Sequence, residues 1–230
     1  MLTHLHFCAI SSPMIRHLRE PISGLTHFIG FILAVIGTVF LILKASSPVK
    51  ILHMVSFSIF GAGMIMIYLA STLYHWLPLK EKGVAFMRRV DHMMIFFIIA
   101  ATYTPVCLIP LKGPWGNAIL VCVWTFALMG ILIKIFWMEA PRWLSTSLYL
   151  LMGWICIVAV WPLIVTLQTG ALLWLLFGGL FYSIGAVIYG IKKPNLFPGI
   201  FGFHELFHVL TMMGTASHFL VMYRYITQFN

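Results

Sequence analysis

The chain is 230 residues long, 62% of them hydrophobic and only 8% charged, with a mean hydropathy of +1.03. No soluble domain needs that much apolar surface, so the composition excludes a water-soluble enzyme or binding module and indicates a polytopic membrane protein. The formal net charge of +9 is no nucleic-acid footprint, because Lys and Arg stand singly or in pairs between apolar runs, where they act as topology signals.

Residues 1–24 read as a cytoplasmic tail without the basic start, apolar core and cleavage site of a signal peptide. Residues 25–225 form one domain with seven apolar runs of about 20 residues, each long enough to cross the hydrocarbon core as a helix. They lie near Leu25 to Leu43, Ile51 to His75, Val90 to Ile109, Trp115 to Ile135, Trp143 to Leu167, Ala171 to Ile191 and Phe203 to Tyr223. Residues 226–230 remain as a short external tail. The expected fold is therefore an all-α, seven-transmembrane helix bundle. Pro105 predicts a kink in the third run. Gly179, Ser183, Ala186 and Gly190 give the sixth run small-residue spacing for close helix contact. Trp76, Trp115, Trp137, Trp143 and Trp174 stand near run ends and read as an interfacial belt. Cys8, Cys107, Cys122 and Cys156 show no Cys-x-x-Cys spacing, which argues against disulfides and thiolate metal sites.

Counting Lys and Arg on alternate sides orients the bundle. Arg16, Arg19, Lys80, Lys82, Arg88, Arg89, Lys134, Arg142, Lys192 and Lys193 fall on one side; Lys44, Lys50, Lys112 and Arg224 fall on the other. The excess predicts a cytoplasmic N-terminus and an external C-terminus.

With seven spans, parity alone puts the end of the second, the start of the third and the start of the seventh on one side. His75, Asp91, His204 and His208 then share a depth near the cytoplasmic face, and such a cluster of costly polar groups in a membrane is a functional hypothesis. His204 and His208, four apart on one helix face, can reach one metal ion. His204-Glu205-x-x-His208 first evokes a zinc protease, but no Asp or Glu follows His208, and Thr211 and Gly214 occupy the positions that an extended protease motif would give to Gly and His. His218 lies ten residues beyond His208, roughly 15 Å along a helix, too far to share that ion. Upstream, His75 completes a three-histidine set. Asp91 has two readings, an ion pair with Arg88 or a base beside the metal. Glu205 either caps its helix or acts as the base. Ser71, one turn before His75, either bonds its own backbone or serves the site. Glu20 and His27 are packing groups or polar supports. His53, His92 and His218, with His4, His6 and His17, read as interfacial.

Glu20-Pro21 with Thr26-His27, Ser71-x-x-x-His75, Arg89-x-Asp91-His92 with Thr102-Tyr103-Thr104-Pro105, and Gly202-Phe203-His204-Glu205-x-x-His208 closely resemble the hemolysin III family of bacterial membrane proteins. That family belongs with the progestin and adipoQ receptors and, more distantly, the alkaline ceramidases. The chain departs from the bacterial pattern at Ser23, usually Asn, and at Ala101, commonly Gly; neither departure is expected to touch the metal ligands. The resemblance implies a multi-pass protein of the bacterial inner membrane. It also implies a Zn2+ ion held by His75, His204 and His208, with Asp91 and Ser71 as catalytic groups around a metal-bound water. Three imidazoles plus water make an open, catalytic type of site.

The leading expectation is a zinc-dependent hydrolase of lipid amide or ester bonds, acting in membrane lipid homeostasis with membrane lipids as its partners. A non-catalytic sensor or receptor with a structural zinc is the second reading, and a cytolysin, from the family name, the third. Metal transport is weaker, since no polar file crossing to the outer face is evident.

Overall fold

The computed structural model describes residues 18–230. It is all-helical. Seven helical spans are long and apolar enough to cross a membrane: α1 Pro21–Ser46, α2 Ile51–Trp76, α3 Glu81–Leu108, α4 Pro114–Phe136, a fifth span in two pieces (α5 Arg142–Gly153 and α6 Val160–Thr166), α7 Thr169–Ile191 and α8 Phe203–Arg224.

Helix α1 shows how so apolar a sequence chooses an inner face. Ser23, Gly24, His27, Gly30, Ala34, Gly37, Leu41 and Ala45 are buried at helical spacing, a stripe of mostly small residues that lets neighbours approach closely. Trp76 stands over Gly24, Tyr68 over Gly30 and Phe219 over Gly37. The opposite face presents Leu33, Val39, Phe40 and Leu43 to lipid. Helix α4 has the same design, with Gly116, Ile119, Val123, Ala127, Gly130 and Lys134 along its buried stripe. Helices α2 and α3 are the central pair, while the fifth span is the least buried of the seven. Helix α8 closes the ring against α1 and α7.

Helix α3 starts nine residues earlier than the apolar run, at Glu81, because the charged turns up to Arg89 remain helical. Asp91 therefore lies inside the helix, not at its start. Helix α1 likewise begins at Pro21, a proline suited to the first helical turn. The break in the fifth span was not anticipated. Around Gly153 the α-helix gives way to a 3-10 segment, Ile155–Ala159, and Tyr103 from α3 serves the freed backbone. Its hydroxyl lies 2.7 Å from the Gly153 carbonyl and 3.0 Å from that of Met152, and it accepts from the Cys156 N–H at 3.1 Å. In a membrane such groups need an internal partner, and one side chain supplies it.

The expected small-residue stripe on α7 has a different role: Gly179, Ser183 and Ala186 line a cavity, with Trp154 Nε1 donating to Ser183 Oγ at 2.9 Å. The close approaches to α8 are made one residue away, by Gly178 under His218 and Gly185 against Leu210 and Phe207. Trp76, at the end of α2, is half-buried and its indole donates to the Pro21 carbonyl at 3.1 Å. Trp115, Trp137 and Trp143 are exposed as expected. Cys107, Cys122 and Cys156 are free thiols, and Cys8 lies outside the described residues.

At the end of the bundle away from the histidine cluster, Lys50 Nζ donates to the carbonyls of Thr227 and Phe229 at 3.2 and 2.5 Å. His53, buried, reaches the Ile226 carbonyl at 3.1 Å. Cationic and N–H donors thus satisfy the last carbonyls of the chain's final helical turns.

Candidate metal centre

His75 ends α2, and His204 and His208 begin α8, so the antiparallel packing brings their rings to one level. One ring nitrogen from each lies within 4.8 Å of the other two, and His75 Nε2 and His204 Nε2 are 3.2 Å apart. Two nitrogens each ~2.0–2.1 Å from a tetrahedral zinc would stand about 3.3 Å apart, so the cluster is of the right size.

The neighbours set the tautomers, because a nitrogen that donates elsewhere leaves the other free as a ligand. His75 Nδ1–H donates to Glu20 Oε2 at 2.5 Å, and the Glu20 N–H donates back to the His75 carbonyl at 3.0 Å. This bond holds the Glu20 carboxyl below its ordinary value, against the burial that raises it. The Thr26 hydroxyl donates to the Ser23 carbonyl at 2.7 Å, so at its 3.0 Å contact with His208 Nδ1 it accepts. His208 Nδ1–H also approaches the Ser23 carbonyl at 3.2 Å. His27 lies flat on the His208 ring, centroids 3.7 Å apart, and its own nitrogens are buried without partners. His75 and His208 thereby direct their Nε2 atoms into the cluster, a donor set and orientation that fit a metal.

The sequence-predicted residues fare differently. His75, His204 and His208 come together. Asp91 and Ser71 line the same cavity as the cluster. Ser71 does not bond its helix backbone: its buried Oγ completes no hydrogen bond to any described group. Asp91 does not pair with Arg88, which reaches Glu139 Oε1 at 2.7 Å instead. Glu205 is committed to its helix start, accepting from the Gly202 N–H at 2.8 Å and from Ser23 Oγ at 2.5 Å. That geometry favours the capping reading over the base. The Ser23 side chain meets Glu205, and it is only the backbone carbonyl of Ser23 that reaches His208, so this departure, like Ala101 packed on Gly63, leaves the candidate ligands untouched, as expected.

His53, His92 and His218 are not interfacial. His53 is buried against Ile226, while His92 and His218 line the cavity, each with a buried unpartnered Nδ1. His218 stacks on Tyr182 at 5.6 Å. Tyr182 and Tyr68 both meet Thr215 Oγ1, at 2.8 and 2.7 Å, and Tyr68 stands edge-on to His27 at 5.1 Å. A polar file thus leads from His208 into the bundle, which single-residue spacing did not reveal. His4, His6 and His17 lie outside the described residues.

The cavity has a volume of about 1110 Å³, at the upper limit of ordinary small-molecule sites. From Tyr189 to Leu172 on α7 it extends roughly 25 Å. Its upper part holds the histidines, Asp91 and Ser71; its lower part is walled by Val160, Leu163, Ile164, Leu172 and Leu175.

Comparison with known proteins agrees with these residues. Residues 15–219 match the family profile described as Haemolysin-III related. A hemolysin-3 homolog of Bacillus subtilis is 40% identical over 207 residues, covering 90% of this chain and 94% of the relative. Hemolysin-3 of Bacillus cereus is 36% identical, covering 93% and 94%. The human monocyte to macrophage differentiation factor is 26% identical, covering 73% and 69%. A profile match over most of the length, two relatives above the level at which a shared family is secure, and a histidine cluster built from the motif residues lead to one conclusion: this chain is a multi-pass membrane protein of the haemolysin III-related family.

Proposed function

We propose that the protein is a zinc-dependent hydrolase of lipid amide or ester bonds, with its site on the cytoplasmic side of a bacterial inner membrane. The observation that carries this reading is the joining of the histidine cluster, Asp91 and Ser71 to one long, apolar-ended cavity between the helices. His75, His204 and His208 would hold the ion, which when bound supplies a Lewis acid and an acidified water. Glu20 keeps His75 in the ligating tautomer, and Ser23 and Thr26 do so for His208. Asp91, free of ion pairs among the described residues, is available to take a proton in the cavity and return it to a leaving group. The Ser71 hydroxyl, without a partner, can donate to an oxyanion developing on a lipid carbonyl. The apolar part of the cavity would take an acyl chain and exclude water from it.

Asp91→Asn tests this reading. The amide keeps the shape but cannot accept the proton, so the variant in lipid nanodiscs should stay zinc-loaded and thermally stable yet release fatty acid at least about 100-fold more slowly than wild type. A wild type that carries zinc and hydrolyses neither amide- nor ester-linked lipids would replace the enzyme with the sensor reading. The name of one relative, an ADIPOR-like receptor of yeast, favours that alternative.

A further inference from the structure

The inner stripe of α4 ends on a charge. Lys134 follows Gly130 and Ala127 on the buried face and is only 2% exposed. Its Nζ meets one neutral partner, Ser145 Oγ of α5, at 2.6 Å. An ammonium has three donors, so two donors and the charge itself go unanswered by protein. Burying such a charge without an anion is among the costlier arrangements a fold can hold, and the last carbonyls of α4 offset only part of it. Glu139, the nearby acidic group, is turned outward, 84% exposed and joined to Arg88.

Other groups on this wall point the same way. Arg142 lies 5.5 Å over the Tyr189 ring and enters no ion pair among the described residues. His92, whose buried Nδ1 has no partner, stands in the field of Lys134, Arg88 and Arg142. Lys134, Arg142 and His92 all line the cavity that holds the histidine cluster. On this wall, away from Asp91 and Glu20 beside the histidines, Lys134, Arg88 and Arg142 face only the outward Glu139, which leaves this side of the cavity mouth electropositive.

We infer that this mouth binds the phosphate of an anionic lipid headgroup, with Lys134 and Arg142 as its anchors. A phosphate diester offers one negative charge and two acceptor oxygens, enough to answer Lys134 and the fork of Arg142 together. A free phosphate would meet the same groups, but the cavity continues as an apolar channel suited to the chains that a lipid carries. The ester carbonyls of a glycerophospholipid lie a few bonds from its phosphate, so an anchored headgroup brings them toward Asp91 and the histidines. As a statement of substrate class the assignment rests on the hydrolase reading; the anion site itself is tested without turnover.

The experiment is a thermal-shift titration of the purified full-length, zinc-loaded protein in neutral detergent. Dihexanoyl phosphatidylglycerol is the probe, with dihexanoylglycerol and inorganic phosphate as the other two arms. Wild type should be stabilised by the phospholipid and by neither of the others. Lys134→Met and Arg142→Gln should each weaken the apparent affinity about tenfold or more, with zinc content unchanged. Without lipid, Lys134→Met should be as stable as wild type or more so, because it removes an unanswered buried charge. Equal titrations for wild type and both variants overturn the site. Inorganic phosphate acting as strongly as the phospholipid overturns the lipid assignment. Lys134→Met that is less stable yet keeps the phospholipid shift makes Lys134 structural and overturns its role. Failure of the hydrolase reading looks different: phosphatidylglycerol binding would still be lost in the variants while wild type released no fatty acid.

Discussion

Glu20 holds His75 twice, through its carboxylate at the ring Nδ1, 2.5 Å away, and through its own N–H at the His75 carbonyl, 3.0 Å away. The first residue ahead of α1 therefore sets the orientation of the last histidine of α2. Glu20→Gln should lower zinc affinity about 10–100-fold, as loss of a carboxylate behind a metal-bound imidazole does, measured by competition with a chelator. The carboxyl is held below its ordinary 4.5 chiefly by its bond to His75. Its stabilising contribution is thus fully present above that ordinary value and is lost as pH falls through the lowered one. The stability difference between wild type and Glu20→Gln should vanish on acidification through that window.

Purified protein should carry about one zinc per chain. His75→Ala, His204→Ala and His208→Ala should each lose most of it, while His218→Ala and His53→Ala retain it, because only the first three converge. Elemental analysis after gel filtration reads this directly. Full occupancy in the triple alanine variant would mean that the ion is held elsewhere.

Glu205 separates a cap from a base. Glutamine at this position can still accept from the Gly202 N–H and the Ser23 hydroxyl, so Glu205→Gln should be nearly neutral. Glu205→Ala should cost about 0.5–2 kcal/mol, the range for a lost helix cap. Turnover per bound zinc should be unchanged in both; abolition by Glu205→Gln with Asp91→Asn still active would reverse the two roles.

Tyr103→Phe removes the hydroxyl that serves three backbone groups around the break in the fifth span. Leaving backbone groups unpaired away from water costs about 1–3 kcal/mol, so the thermal midpoint in detergent should drop clearly. Tyr149→Phe, which loses one long 3.4 Å contact to the His92 carbonyl, is the mild control.

The Lys and Arg asymmetry predicts a cytoplasmic N-terminus. A reporter active only outside the cytoplasm should be active after Asn230 and silent after Lys193. The reverse pattern would invert the bundle while leaving the cluster intact, since parity alone places its members together.

Span number and the level of the histidines were legible because both depend on local quantities, the length of apolar runs and their alternation. Helix starts were less so: Glu81 to Arg89 is too charged for an apolar run yet stays helical at the membrane surface. The break at Gly153 was illegible because its compensation comes from a tyrosine some fifty residues earlier. Glu20 carried a signal, standing before a proline at a helix start, but its partner lies 55 residues away and only packing reveals it. Lys134 could have been found. It interrupts an apolar run at the spacing of the small residues on the inner face, where a merely topological lysine would point outward.

The clamp of Lys50 and His53 on the chain's end bears on biogenesis. Lys50 is made 177 residues before Thr227, an interval of roughly 10–35 s at 5–20 residues per second. During that time the first hairpin, α1 and α2, sits in the membrane with its loop lysine and a buried histidine unmatched. The Glu20–His75 arm can form at once, but His204 and His208 arrive with α8. A nascent chain halted before α8 therefore offers an ion one nitrogen of three. Insertion of α8 both closes the ring of spans and completes the three-histidine cluster, so metal loading should report on the insertion of α8.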